Sequence, residues 1–119
     1  MDPIKYPPLT VIDILAEAAS VTEPYRNSVI NRVNEHCLRL AVFNGPYHWH
    51  FHPTSDELFL VVEGSLAIDF ESGAELLLHP WQAVTIPAGT VHRTRAIGRT
   101  VNLCFEALSA DTIFLEDRP

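Results

Sequence analysis

Beyond residue 28 the apolar stretches of this chain are short, and turn-forming residues separate them at regular intervals. The separators are Asn44-Gly45-Pro46, Gly64-Ser65, Glu71-Ser72-Gly73, Pro87-Ala88-Gly89 and Gly98. Between them, residues 28–34, 37–43, 47–52, 58–62, 66–70, 75–79, 83–86, 92–96 and 101–106 read as brief apolar or alternating segments, each a strand candidate. Many short strands with turn signals between them restrict the chain to an antiparallel sandwich or barrel. A single helix is expected before them, over residues 9–19. Thr10 or Asp13 would open it, and Ile12, Leu15, Ala16 and Ala19 fall at helical spacing. Residues 111–119 read as a peripheral tail.

Composition narrows the class further. The 119 residues suit one domain with one core, and with 47% hydrophobic and 19% charged residues that core should be well packed. A net charge of −7, with Lys5 the only lysine, opposes binding to nucleic acid. The stretch TVIDILAEAASV is interrupted by Asp13 and Glu17, and no apolar run approaches the length of a membrane span. Cys37 and Cys104 form no CxxC pattern and are expected to be reduced, buried thiols, which leads to an expected cytoplasmic location.

Three of the six histidines stand in one row, YHWHFH, at His48, His50 and His52. On a strand, alternation sends these imidazoles to one face and Tyr47, Trp49 and Phe51 to the other. Imidazole and carboxylate are good ligands for first-row divalent metals, and two histidines at i and i+2 can lean over one ion. His48 and His52 would lie about 13 Å apart on an ideal strand, so only two of the three are expected to share it. Glu57, at the head of the next segment, and His92, after the turn PAGTVH, offer further ligands.

These residues resemble the cupin family through two motifs. The first is a glycine followed by H-x-H, three or four residues, a glutamate, six residues and a glycine. His50-x-His52, Glu57 and Gly64 fit it, and its register chooses His50 and His52 over His48. The second contains P-x-G-x-x-H, which Pro87, Gly89 and His92 fit. The wording HPTSDELFLVVEG also resembles small single-domain cupins of the group similar to sugar-phosphate isomerases. Three positions depart from the pattern: Trp81 stands where the family has glycine, Gly45 sits one residue closer to the H-x-H than the opening glycine, and Ala96 replaces an asparagine.

The resemblance implies an all-β, cupin-type antiparallel β-barrel of the jelly-roll or double-stranded β-helix kind, with a short N-terminal helix. In that frame residues 1–35 would cover the barrel or a dimer edge, 36–110 would form the barrel and 111–119 the tail. His50, His52, Glu57 and His92 would converge on a divalent transition metal, iron, manganese, zinc or nickel. His48, Asp56 and Thr94 would line the pocket or support the ligands. His36 and His79 are expected to be solvated, and Arg93 and Arg95, opposite in parity to His92, to face outward. The implied partners are a small polar molecule and a second copy of the chain, with no membrane. The implied function is action on that molecule inside the barrel, as an isomerase, hydrolase or oxygenase, or its binding without turnover as a sensor or storage protein.

Overall fold

A computed structural model describes residues 3–115. Its elements in order are helix α1 (Ile14–Ala19) and strands β1 (Tyr25–Val33), β2 (His36–Pro46), β3 (His50–Phe51), β4 (Glu57–Phe70), β5 (Glu75–Leu78), β6 (Ala83–Ile86), β7 (His92–Ala107) and β8 (Ile113–Phe114). Every strand pair is antiparallel, and together they form one curled sheet, the jelly-roll barrel expected above.

Strand β7 organises the sheet. It runs beside β4 from the pair Glu57↔Glu106 to the pair Phe70↔His92, beside β2 from Ala107 to Arg95, and beside β3 at His50↔His92. Strand β4 carries β6 on the other edge of its first half and β5 on that of its second.

Two expected turns are instead bends within single strands. Residues 58–62 and 66–70 belong to one strand, β4, which passes through Gly64-Ser65, and residues 92–96 and 101–106 belong to one strand, β7, which passes through Gly98. Between Val61 and Ser65 the β4–β7 register shifts twice, so both strands bulge at the same corner and turn together. Gly64 and Gly98 have φ of +83° and +74°, a conformation that supports a bulge as readily as a hairpin. The corner is pinned by Thr100, whose hydroxyl donates to Ser65 O at 2.9 Å. Asn44-Gly45-Pro46 is likewise an irregularity inside β2.

The helix is shorter than its periodicity suggested and buries a different face. Leu9 has φ of +65°, which is not helical, and Asp13 caps the helix by accepting a hydrogen bond from Ala16 N. From that start Ile14 and Ala18, four residues apart, turn inward, while Leu15 is exposed. Ala18 and the neighbouring Ile12, Ile14 and Val21 pack on Ile30, Leu40, Val42 and Val101, which cover the outer face of β1, β2 and β7. The opposite face, with Ala41, Phe43, Phe59, Val61, Leu66 and Ile68, fills the barrel. Residues 40–43 of β2 are therefore buried on both faces, which accounts for their unbroken apolar run.

The described part of the tail is not peripheral. Strand β8 pairs with β3 through Ile113↔Phe51 and Phe114↔His50, closing the sheet beside the histidines. Residues 116–119 of the expected tail lie outside the described residues.

The corner glycine separates two kinds of cost. A Cβ on Gly64 would meet Arg99 O at 2.6 Å, whereas one on Gly73, at φ of +89°, would meet nothing within 4 Å. Gly73→Ala should cost about 1–2 kcal/mol from the left-handed backbone alone. Gly64→Ala adds a backbone clash and should cost clearly more, at least about 3 kcal/mol. Urea midpoints of the two variants measure the difference, and equal midpoints would contradict a tight corner.

Candidate metal centre

Strand pairing brings the four motif residues together. His50 and His92 are direct partners across β3 and β7, with ring centroids 4.5 Å apart. His52 follows β3 with the same parity as His50, and both rings are buried. Glu57 opens β4, where its neighbours on either side are Ile86 of β6 and Glu106 of β7. Two loops hold the motifs in register: Gly89 N donates to His52 O at 2.8 Å, and Asp56 Oδ1 accepts from Ala88 N at 2.8 Å. The histidine row is not one strand, because only residues 50–51 of it join a ladder. His48 is exposed, and its ring lies against Tyr47 and Phe114 rather than with the other two histidines.

One ligand-capable atom from each of His50, His52, Glu57 and His92 lies within 4.8 Å of all the others, and the four side chains are buried. Glu57 Oε1 is 3.1 Å from His52 Nε2 and 3.7 Å from His92 Nε2, yet none of these three atoms has a hydrogen-bond partner. The Glu57–His52 contact is an ion pair when that ring is charged; with the rings neutral, their Nε2 lone pairs and the carboxylate oxygen meet with no donor among them, an arrangement that a cation relieves.

The other ring nitrogens settle the tautomers. His50 Nδ1 faces His48 O at 2.7 Å, His52 Nδ1 faces Asp111 O at 3.0 Å, and His92 Nδ1 faces Thr90 O at 2.9 Å. A carbonyl can only accept, so each Nδ1 carries the proton and donates. In the neutral ring this leaves the lone pair on Nε2, turned toward the other three residues. Three imidazole nitrogens and one carboxylate suit a first-row divalent metal, and these residues fit such an ion.

Electrostatics differ across the group. Burial pushes His50 down to about 4, so that its ring is neutral at ordinary pH. Burial also works against a charge on His52, but the Glu57 carboxylate beside it outweighs that and raises its pKa well above the usual histidine value. Glu57 is itself buried, and His52 and His92 more than offset the penalty, holding its pKa below the usual carboxylate range.

The group opens into a cavity of about 300 Å³. Its walls carry residues that sequence reasoning missed: Tyr25 and Asn27 of β1, Arg39 of β2, Tyr47, and Asn102 and Glu106 of β7. Arg39 Nε donates to Glu106 Oε1 at 2.9 Å, and burial followed by the charge of Glu57 raises the Glu106 pKa. A signal was present, since Arg39 is the one polar residue in the apolar run 37–43, and Asn102 and Glu106, with the same parity, interrupt the apolar run 101–106. The tail contributes Thr112 and Phe114.

Of the remaining candidates, Thr94 lines the cavity, whereas Asp56 is exposed and ties the two motif loops. His36 and His79 are exposed, as expected, and the free cysteines Cys37 and Cys104 are buried. Arg93 and Arg95 face outward and share Asp69, whose pKa they lower, with Arg93 also lying 5.0 Å over the Trp49 ring. Among the described residues no helix is long and apolar enough to cross a membrane.

Comparison with known proteins agrees with this geometry. The chain is 51% identical over 107 residues to the uncharacterized protein YdbB of Bacillus subtilis (strain 168), covering 90% of this chain and 95% of that one. A crystal structure of a cupin-2 domain containing protein from Shewanella frigidimarina superposes with a TM-score of 0.77 at 27% identity, covering 82% of this chain and 94% of that one. A protein from Neisseria meningitidis gives a TM-score of 0.76 at 26% identity, covering 82% and 99%. The family model for the cupin domain matches residues 44–106, a span holding all four buried residues and both motifs. With more than half of its length matched in this way, the chain belongs to the cupin family.

Proposed function

We propose that this cupin binds one divalent transition metal through His50, His52, Glu57 and His92 and uses it to act on a small polar molecule in the cavity. The observation that carries the reading is the set of three Nδ1–H groups anchored on carbonyls, which presents three Nε2 atoms and Glu57 Oε1 to one point. Iron, manganese, zinc and nickel all accept such donors. Four protein ligands leave positions open on an ion that prefers five or six, where it would supply Lewis-acid polarisation of a substrate oxygen.

The chain's own residues do the rest. Phe43, Phe59 and Phe114 limit water on one side of the cavity, and Tyr25, Asn27, Arg39, Asn102 and Glu106 supply polar contacts that orient the molecule. Isomerisation is the reaction that this arrangement favours, since it needs polarisation and nearby proton carriers but no co-substrate. A cupin superfamily structure from Silicibacter pomeroyi described as a sugar phosphate isomerase shares the fold, with a TM-score of 0.65 at 16% identity, 79% of this chain and 67% of that one being covered. A cytoplasmic setting is part of the proposal, supported by the two free cysteines. So is a homodimer, supported by the exposed apolar side chains Leu76, Leu77 and Trp81.

Elemental analysis of protein purified without chelator tests the reading and names the metal. One ion per chain is expected. Glu57→Ala and His92→Ala should lose most of it on dialysis, while His48→Ala should retain it. Full occupancy in both of the first two variants would refute the ligand assignment.

Proton release gives an independent measure. In the metal-free protein at pH 7.5, His52 holds protons on both nitrogens, and an ion must displace the one on Nε2. Calorimetric metal titration in buffers of different ionisation enthalpy should therefore report about one proton released per ion. No buffer dependence would mean that His52 is already neutral.

Stability should follow the same linkage. The raised pKa of His52 means that its pairing with Glu57 stabilises the metal-free fold fully below the ordinary value of 6.5 and fades as pH rises through the raised one. The lowered pKa of Glu57 makes its part present above 4.5 and lost on acidification below that. Metal competes with the proton on His52, so its own contribution grows as pH rises toward the raised value and levels off above it. At a fixed free metal concentration one hundred times the dissociation constant at pH 8, chelation should lower Tm by roughly 10 °C near that pH. A shift equally large at pH 5.5 would contradict a histidine site.

A further inference from the structure

Beside the four motif residues the cavity holds a second polar set that metal binding does not use. Glu106 is only 6% exposed, and its two oxygens are treated differently. Oε1 accepts from Arg39 Nε at 2.9 Å, whereas Oε2 has no hydrogen-bond partner and lies 3.9 Å from His52 Nε2. Asn102, on the same face of β7, repeats the pattern at 1% exposure: its Nδ2 donates to Cys104 Sγ at 3.2 Å, and its Oδ1 has no partner. Both residues line the cavity. Two buried acceptors without donors are costly, and the occupant of the cavity is placed to supply those donors.

Charge selects the kind of occupant. With the histidines neutral and holding a divalent ion, the lining sets that ion and the guanidinium of Arg39 against the carboxylates of Glu57 and Glu106, a sum of one positive charge. A cavity with one net positive charge favours a monoanion over an amine. The donor required by Glu106 is then a hydroxyl, and a volume of about 300 Å³ is at the small end for ligand pockets.

We propose that the cavity selects a small hydroxy-acid, whose single carboxylate answers the charge of the metal-loaded site while its hydroxyl donates to Glu106 Oε2. Arg39 is a positioning residue that turns Glu106 by holding its other oxygen. The proposal rests on the metal reading above, because without the ion the lining has no net positive charge to draw an anion.

The test is calorimetric titration of the metal-loaded wild type and the Glu106→Gln variant with lactate and with propionate, which differ by one hydroxyl. Metal content is measured on the same samples. In the variant the amide oxygen takes the Arg39 contact and leaves an N–H₂ group in place of the acceptor. Wild type should prefer lactate, the variant should keep its metal, and its preference should fall by about tenfold or more, the worth of a hydrogen bond to a charged group. A hydroxyl direct on the ion would instead give the same preference in both proteins, which overturns the proposal and leaves the metal reading standing. Metal loss in the variant would make Glu106 a ligand and overturn it too, as would the absence of binding by either acid to wild type. A wild type that takes up no metal would refute the metal reading itself.

Discussion

The antiparallel ladder between β4 and β7 is the interaction on which the rest depends. It runs nearly the full length of both strands and bends at one corner, where Gly64 lies against the backbone of Arg99. Because the two strands bulge together, the sheet curls without breaking its pairing, and residues far apart along β7 face the same interior. Thr94 lies before the bend and Asn102 and Glu106 beyond it, yet all three line one cavity with Glu57, His50 and His52. A hairpin at either glycine would have ended this arrangement. The short β3, paired with β7 at a single residue couple and with β8 at two, can carry His50 and His52 only because β7 is already in place.

That architecture carries a polar interior. Within the barrel, His52 Nε2, His92 Nε2, Glu57 Oε1, Asn102 Oδ1 and Glu106 Oε2 are buried without hydrogen-bond partners. Such a cluster opposes folding unless ions or ligands satisfy it. Apolar packing is distributed to tolerate it: one cluster fills the barrel and borders the cavity through Ala41, Phe43, Phe59 and Cys104, and another lies outside, under the helix and the N-terminal segment. The fold thus has cores that do not need the site, while the site needs the fold to hold its atoms in place. This is the relation expected when strain and unsatisfied polarity are concentrated where function lies.

Local chemistry made much of this readable in advance. Alternation and turn residues were enough to indicate an antiparallel barrel, and the spacing of His50, His52, Glu57 and His92 marked the residues that the structure buries within 4.8 Å of one another. The outward parity of Arg93 and Arg95 was also readable, since side-chain alternation holds within any strand. What went astray involved choices that local sequence leaves open. A glycine at positive φ serves a hairpin and a bulge equally, so Gly64 and Gly98 were read as ends of strands when they are corners. The helix was placed by apolar spacing, but its face was chosen by the Asp13 cap and by the surface of β1 and β2 that it covers.

The sequence by itself determined the class of fold, through short-range periodicity and turn residues, and the four buried ligand candidates, through two short motifs that resemble those of the cupin family. Only the tertiary structure decided which other side chains share the cavity. Arg39, Asn102 and Glu106 meet His52 through strand register, Tyr25 and Asn27 enter from β1, and the tail supplies the Asp111 carbonyl that fixes the His52 tautomer. Register and curl arise from pairings between residues as distant as Arg39 and Glu106, or His52 and Asp111. Such pairings depend on how whole strands pack, and no local stretch of the chain encodes them.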